Sequence, residues 1–275
     1  MEHDVTASAT DVCLVVPPFD SMHYPQLGTA ILKSACVARG LRTRIVYAGI
    51  ALAKRVGLEA YDAISHGEMN QMVGERLFRA HAYPAATVAG LPPLDPLPDA
   101  RRAESDRVEP AIAPMLAEVT AQILALRPRI VGVSSTFEQN LAAATIARLV
   151  KEADPTIVTV MGGANAAWPL SLGLAKAFPW IDHFFAGEAD VDFPEFCEDY
   201  LRRGIRPEAR VIRWEDGARH AHRLPTRLYR FLRRPAPGSG IGRAAGLATA
   251  LFDDGNLARL LVGGKEPLYL LRLER

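Results

Sequence analysis

Asp11-Val12-Cys13-Leu14-Val15-Val16, followed at once by Pro17-Pro18, is the stretch on which the fold turns. A short apolar run without polar alternation, closed by two prolines, reads as a strand buried on both faces of a parallel sheet. Beyond a loop through Tyr24 and Pro25, the positions Leu27, Ala30, Ile31, Ala35 and Ala38 recur at helical spacing, and Gly40 supplies a C-terminal stop. Arg44-Ile45-Val46-Tyr47 then reads as a second strand.

The same unit returns further along. Ile112, Met115, Leu116, Val119, Ile123 and Leu126 form an apolar helical face, and Pro128 precedes the strand Ile130-Val131-Gly132-Val133. A helix over residues 139–152, with Ala142, Ile146, Leu149 and Val150 inward, leads to the strand Thr156-Ile157-Val158-Thr159-Val160. A helix over 170–177, the strand Asp182-His183-Phe184-Phe185-Ala186 and a helix over 191–203 complete the series. Strands alternating with helices predict an α/β, Rossmann-like doubly wound fold with a mainly parallel sheet.

Two segments depart from the repeat. Residues 57–110 combine a polar helical stretch with Leu91-Pro92-Pro93-Leu94-Asp95-Pro96-Leu97-Pro98, whose prolines exclude helix or sheet interior. We read this as an insertion forming a lid or docking surface rather than core. Residues 205–275 read as a basic C-terminal extension to a domain over 11–204, its stretch 206–234 carrying Arg206, Arg210, Arg213, Arg219, Arg223, Arg227, Arg230, Arg233 and Arg234 against Glu208, Glu215 and Asp216. It reads as a solvated linker, with an acidic partner or RNA as the alternatives.

Composition narrows the function classes. With 49% hydrophobic and 23% charged residues and a net charge of +1, the 275-residue chain can bury a full core and presents no global field for nucleic acid or membrane. The opening MEHDVTASAT has no basic patch leading into an apolar core, so a cytoplasmic protein is expected. The apolar stretch 244–262 is broken by Asp253, Asp254 and Gly255, which argues against a transmembrane helix. Cys13, Cys36 and Cys197 lie far apart and read as small buried apolar residues rather than metal ligands.

Ligands of open parallel sheets bind beyond the carboxyl ends of the strands, where the loops converge. Those loops contain Pro18, His23 and Tyr24, then Ser134, Ser135, Thr136, Gln139 and Asn140, then Gly162, Gly163, Ala164 and Asn165, then Gly187 and Glu188. Glycines directly after a strand let a bulky ligand approach the backbone, and hydroxyls such as Ser134 to Thr136 both donate and accept. Glu138, Glu188 and Asp190 are either general bases or caps of the following helices.

Taken in order, Pro17-Pro18 with Pro25 and Leu27-Gly28, Ser134 to Asn140, Met161-Gly162-Gly163-Ala164-Asn165 and Gly187-Glu188 resemble the cobalamin-binding N-terminal domain of radical SAM proteins that mature ribosomally made peptides, over residues 11–203. The resemblance implies cobalamin, as methylcobalamin or hydroxocobalamin, over the carboxyl edge, with its nucleotide tail between the Ser134 and Gly162-Gly163 loops. Asp20 and His23 are followed by no glycine until Gly28, so the DxHxxG signature of histidine-ligated cobalamin is absent. The resemblance implies a lower cobalt face without histidine.

An adenosyl radical requires thiolates at CxxxCxxC to hold an iron–sulfur cluster, a pattern this chain lacks. The chain is therefore expected to hold no such cluster and to serve a separate radical SAM enzyme, a precursor peptide, or both. The alternatives are a Rossmann-like transferase with a nucleotide-linked or other small-molecule donor, and a cofactor-free scaffold for a peptide or partner enzyme. Gly240-Ile241-Gly242-Arg243-Ala244-Ala245 follows Pro237 rather than a strand, which argues against a dinucleotide turn. His220-Ala221-His222 lacks carboxylate or cysteine neighbours at ligand spacing and reads as an exposed pair.

Overall fold

Val12–Val16 forms β1, and every one of its residues is buried. The reason is its place in the sheet: it pairs in parallel with β2 (Thr43–Tyr47) on one side and with β3 (Ile130–Ser134) on the other. β4 (Val158–Gly162), β5 (His183–Ala186) and β6 (Val211–Arg213) extend the sheet to six parallel strands in the order β2-β1-β3-β4-β5-β6. The strand order reverses between β1 and β3, and that reversal locates the crevice in doubly wound folds. The computed structural model describes residues 10–68, 71–83 and 85–213.

The period of two along each strand separates two cores. Val12 and Leu14 of β1, Ile130 of β3, Val158 and Val160 of β4 and Phe185 of β5 face one layer, built with α1 (Leu27–Ala38) and, late in the chain, Asp192–Glu198. Cys13, Val15, Val131, Val133, Met161 and Phe184 face the other. That second layer holds α2 (Ala48–Val56), α3 (Leu58–Ser65), α4 (Val73–Ala82), which α5 (Ala85–Ala89) adjoins, α6 (Asp99–Val108), α7 (Ile112–Ala125), α8 (Asn140–Ala153) and α9 (Leu170–Ala177). Asp192–Glu198 is α10, and a π-helical turn, Asp199–Arg203, continues it. Cys36 and Cys197 share the first core whereas Cys13 lies in the second, so the sheet keeps the three thiols from a common site.

Three expectations need correction. The insertion over 57–110 is not external to the core: Tyr61, Ile64, Val73, Leu77, Phe78 and Val108 are all buried in the second layer. Its apolar residues recur at helical spacing between polar ones, and α4 packs along α8. The proline-rich passage is exposed along most of its length, with Leu97 packed against the core, and is tethered by Arg76 to the Asp95 carbonyl (2.6 Å) and by Arg79 to the Pro92 carbonyl (2.7 Å).

The fourth strand begins two residues later than expected. The Asp154 carboxylate accepts from the Thr156 backbone N–H (3.0 Å) and hydroxyl (2.6 Å), a local turn that holds Thr156 and Ile157 out of the ladder.

The sheet also continues past Gly204. β6 pairs with β5, Phe184 opposite Val211, and the Arg210 guanidinium donates to the carbonyls of Ala175 (2.8 Å) and Ile181 (2.6 Å). The extension thus opens with a strand of the sheet. The arginines from Arg219 onward, His220-Ala221-His222 and the Gly240 motif lie outside the described residues. Among the described residues, no helix is long and apolar enough to cross a membrane.

Candidate functional site

The loops after β1, β3 and β4 are sewn to one another by the side chains that the sequence marks for a ligand. Gln139 is buried and reaches across the β1/β3 crevice, donating through Nε2 to the Pro17 carbonyl at 2.7 Å. Its Oε1 accepts from the Thr136 N–H (2.9 Å) and hydroxyl (2.8 Å). Buried Ser135 donates its hydroxyl to Asn140 Oδ1 (2.9 Å) and accepts from Asn165 Nδ2 (3.1 Å), which also donates to the Phe137 carbonyl (2.7 Å). Ser134 donates at 3.4 Å to the Val15 carbonyl of the neighbouring strand. Pro18 is buried. The polar groups satisfy one another, as burial requires.

The passage expected between the Ser134 and Gly163 loops is closed. The Ser135 N–H donates to the Gly162 carbonyl at 2.8 Å and the Asn165 N–H to the Ser135 carbonyl at 3.1 Å. Gly163 has φ +101°, and a Cβ there would lie 2.4 Å from the Ser135 carbonyl oxygen. This glycine is required by the approach of its own chain. Gly162 differs, since a Cβ there would meet only the Phe185 Cβ, at an ordinary 3.7 Å.

Glu138 and Glu75 explain another part of the site. Buried Glu138 accepts from the Gly74 N–H in the first turn of α4, and buried Glu75 of α4 accepts from the N–H groups of Asn140 (2.8 Å) and Leu141 (2.7 Å) in the first turn of α8. Each carboxylate thus satisfies orphan donors of the other's helix, where the helix dipole also favours negative charge. Burial raises both carboxyls above their ordinary range, and those N–H bonds oppose the rise. Glu138 is a cap of α4 rather than of the helix that follows it. Sequence reading missed Glu75 because its partners lie far along the chain.

Of the ligand-contact residues expected from the sequence, those that remain exposed on the carboxyl edge are His23 and Tyr24 after β1, Gly163 and Ala164 after β4, and Gly187 and Glu188 after β5. Thr136, Asn140, Gly162 and Asn165 are half-buried among them. Two further residues join this edge that were not among the expected ligand contacts: Phe137, within the Ser134 to Asn140 motif and 71% exposed, and Trp168, 46% exposed, with the Arg213 guanidinium 4.2 Å from its ring centre. With Tyr24, 61% exposed, each of the loops after β1, β3 and β4 presents one aromatic ring to solvent. An apolar residue without local periodicity between a strand and a helix was the signal available.

The loop after β1 is anchored from α3. Buried Tyr61 donates its hydroxyl toward Asp20 Oδ1 and the Asp20 carbonyl, both at 2.9 Å, and burial lifts the Asp20 carboxyl to about 6. Gly49, in the first turn of α2, leaves room for this pair, since a Cβ there would lie 2.0 Å from Asp20 Oδ1. Three residues further on, His23 Nε2 is 2.8 Å from Asp62 Oδ2 of α3, so that nitrogen is engaged within the chain. No protein-family model and no curated protein matches the sequence, and the reading of this edge therefore rests on its own geometry.

Proposed function

We propose that this chain binds cobalamin on the carboxyl edge of its sheet and serves a separate radical SAM enzyme in methylating a peptide. The observation that carries the reading is the set of exposed rings, Tyr24, Phe137 and Trp168, on successive strand-end loops around the strand-order reversal. A corrin is broad, flat and largely apolar, and open sheets of this order take flat cofactors at that reversal. Gly162, Gly163, Ala164 and Gly187 keep the rim low between the rings. Cobalamin, when bound, supplies a transferable methyl group.

The residues fit a corrin lying on the edge and do not fit a nucleotide tail threaded between the β3 and β4 loops, which are joined backbone to backbone. The tail is accordingly placed outside that seam. A nucleotide-linked donor is the weaker reading. The amino end of α8, where a phosphate would be held by backbone N–H groups, already receives the Glu75 carboxylate.

The test is an absorption spectrum of the protein after incubation with hydroxocobalamin and desalting. One corrinoid retained per chain is expected. Absence of retention, or equal retention by a variant carrying both Phe137→Ser and Trp168→Ala, would overturn the proposal.

A further inference from the structure

We propose that His23, Asp62 and His66 form a binding site for one divalent first-row transition ion, of the zinc or cobalt class. The fold alone assembles it. His23 lies in the loop after β1, 39 residues from Asp62. Asp62 and His66 stand one helical turn apart at the end of α3, so both project from the same side of that helix. One ligand atom from each of the three lies within 4.8 Å of the others.

The donor set decides the class of ion. Two imidazole nitrogens and one carboxylate oxygen suit zinc, cobalt, nickel or ferrous iron, whereas calcium and magnesium demand oxygen donors throughout. In zinc sites, bonds of about 2.0–2.1 Å place tetrahedral ligand atoms roughly 3.3 Å apart. The separations here bracket that value: 2.8 Å from His23 Nε2 to Asp62 Oδ2 and 3.6 Å from His66 Nδ1 to Asp62 Oδ1. Both rings are exposed, so a small rotation of either closes the remaining gap without disturbing the core.

Asp62 supplies an independent observation. Its Oδ2 is paired with His23, but its Oδ1 is removed from water and has no hydrogen-bond partner. A buried carboxylate oxygen without a donor is costly, and a cation held between the two imidazoles would relieve it.

The surroundings hold the ligands in place. Ser21 Oγ lies 3.4 Å from His66 Nε2 and accepts the His23 backbone N–H at 3.2 Å, while Ser65 Oγ lies 3.0 Å from His66 Nδ1, a contact that an ion at Nδ1 would displace. The Ser21 hydroxyl thus ties the backbone of His23 to the ring of His66, a contact of the kind that outer hydrogen bonds make at metal sites. Tyr61, fully buried beside Asp62, ties α3 to the same loop through Asp20. Three protein ligands leave at least one coordination position for an exogenous donor, as in sites that bind or activate a ligand rather than merely brace a fold.

The inference stands apart from the cobalamin reading and is tested without corrinoid. The full-length untagged chain is titrated with cobalt(II), followed by ligand-field absorption, and with zinc as competitor. One ion per chain is expected, displaced by zinc. His23→Ala and His66→Ala are each expected to weaken binding by at least about tenfold, the lower range for loss of even an outer partner. The exposed positions of both rings leave the fold intact, which circular dichroism checks. A control with His220→Ala and His222→Ala is expected to bind as the wild type does. Lack of a stoichiometric ion, unchanged affinity in the His23 and His66 variants, or loss confined to the His220/His222 variant would each overturn the assignment.

Discussion

Glu75 and Glu138 exchange caps: Glu75, in the first turn of α4, accepts the backbone N–H groups of Asn140 and Leu141 at the start of α8, and Glu138, just before α8, accepts the Gly74 N–H in the first turn of α4. The pair locks the insertion to the loop after β3 and fills the anion position at the start of α8. Glu75→Ala is expected to destabilise the protein by about 1–3 kcal/mol, the range for losing charged caps that leave buried N–H groups unpaired. Glu75→Gln, which keeps one acceptor, should lose less. Urea denaturation of the two variants measures the difference, and equal loss would show that acceptor geometry does not matter.

The two adjacent glycines after β4 are predicted to behave differently. Gly163→Ala forces a side chain into positive φ and against the Ser135 carbonyl, so a loss of about 2 kcal/mol or more is expected. Gly162→Ala meets only an ordinary contact and should stay within about 1 kcal/mol of wild type. Thermal denaturation compares them. Gly162→Ala is therefore the variant suited to probing ligand contact at this loop, because it leaves the fold in place.

The pH dependence of stability should carry the mark of Asp20. Its carboxyl is raised to about 6 by burial, against the opposing hydrogen bond from Tyr61, while the unfolded chain titrates near 3.9. Between those values the native state retains a proton that the unfolded state has released. This contribution is fully present below about pH 4 and is lost as the pH rises through 6. Asp20→Asn, neutral at every pH, is expected to stabilise the protein by about 1–3 kcal/mol at pH 7.5 and to change little at pH 4.5. Chemical denaturation at both values checks the sign.

Within the insertion, the helical and proline-rich parts should respond in opposite ways. Phe78 is fully buried, and Phe78→Ala should cost about 3–5 kcal/mol. Leu94 is 48% exposed, and Leu94→Ser should change stability by no more than about 0.5 kcal/mol. Comparable losses from both would place the proline-rich passage in the core.

The aromatic edge offers a prediction that separates binding from folding. Phe137→Ser and Trp168→Ala remove exposed rings, so unfolding midpoints should move little while corrinoid retention falls. Desalting followed by absorption spectroscopy, beside a thermal melt, reads both quantities from one preparation.

Much of this architecture was legible along the chain because its causes are local. Val12–Val16 announces itself by an unbroken apolar run, the helical face from Ile112 to Ile123 by its period, and the sheet by the alternation of strands with helices through Ala186, since burial follows the geometry of a residue's own element. The strand ends were identified for the same reason, and the exposed set His23, Tyr24, Gly163, Ala164, Gly187 and Glu188 lies among them. β6 escaped because three residues amid arginines carry no period.

What only the tertiary structure decided is which groups meet. Ser135, Gln139 and Asn165 spend their hydrogen bonds on neighbouring loops, Glu75 reaches across 65 residues to the start of α8, and His23 meets Asp62 and His66 beside a helix that read as part of a lid. None of these encounters leaves a trace in local spacing. They follow from the order in which the strands assemble and from the need to satisfy every buried polar group within the chain once water is gone.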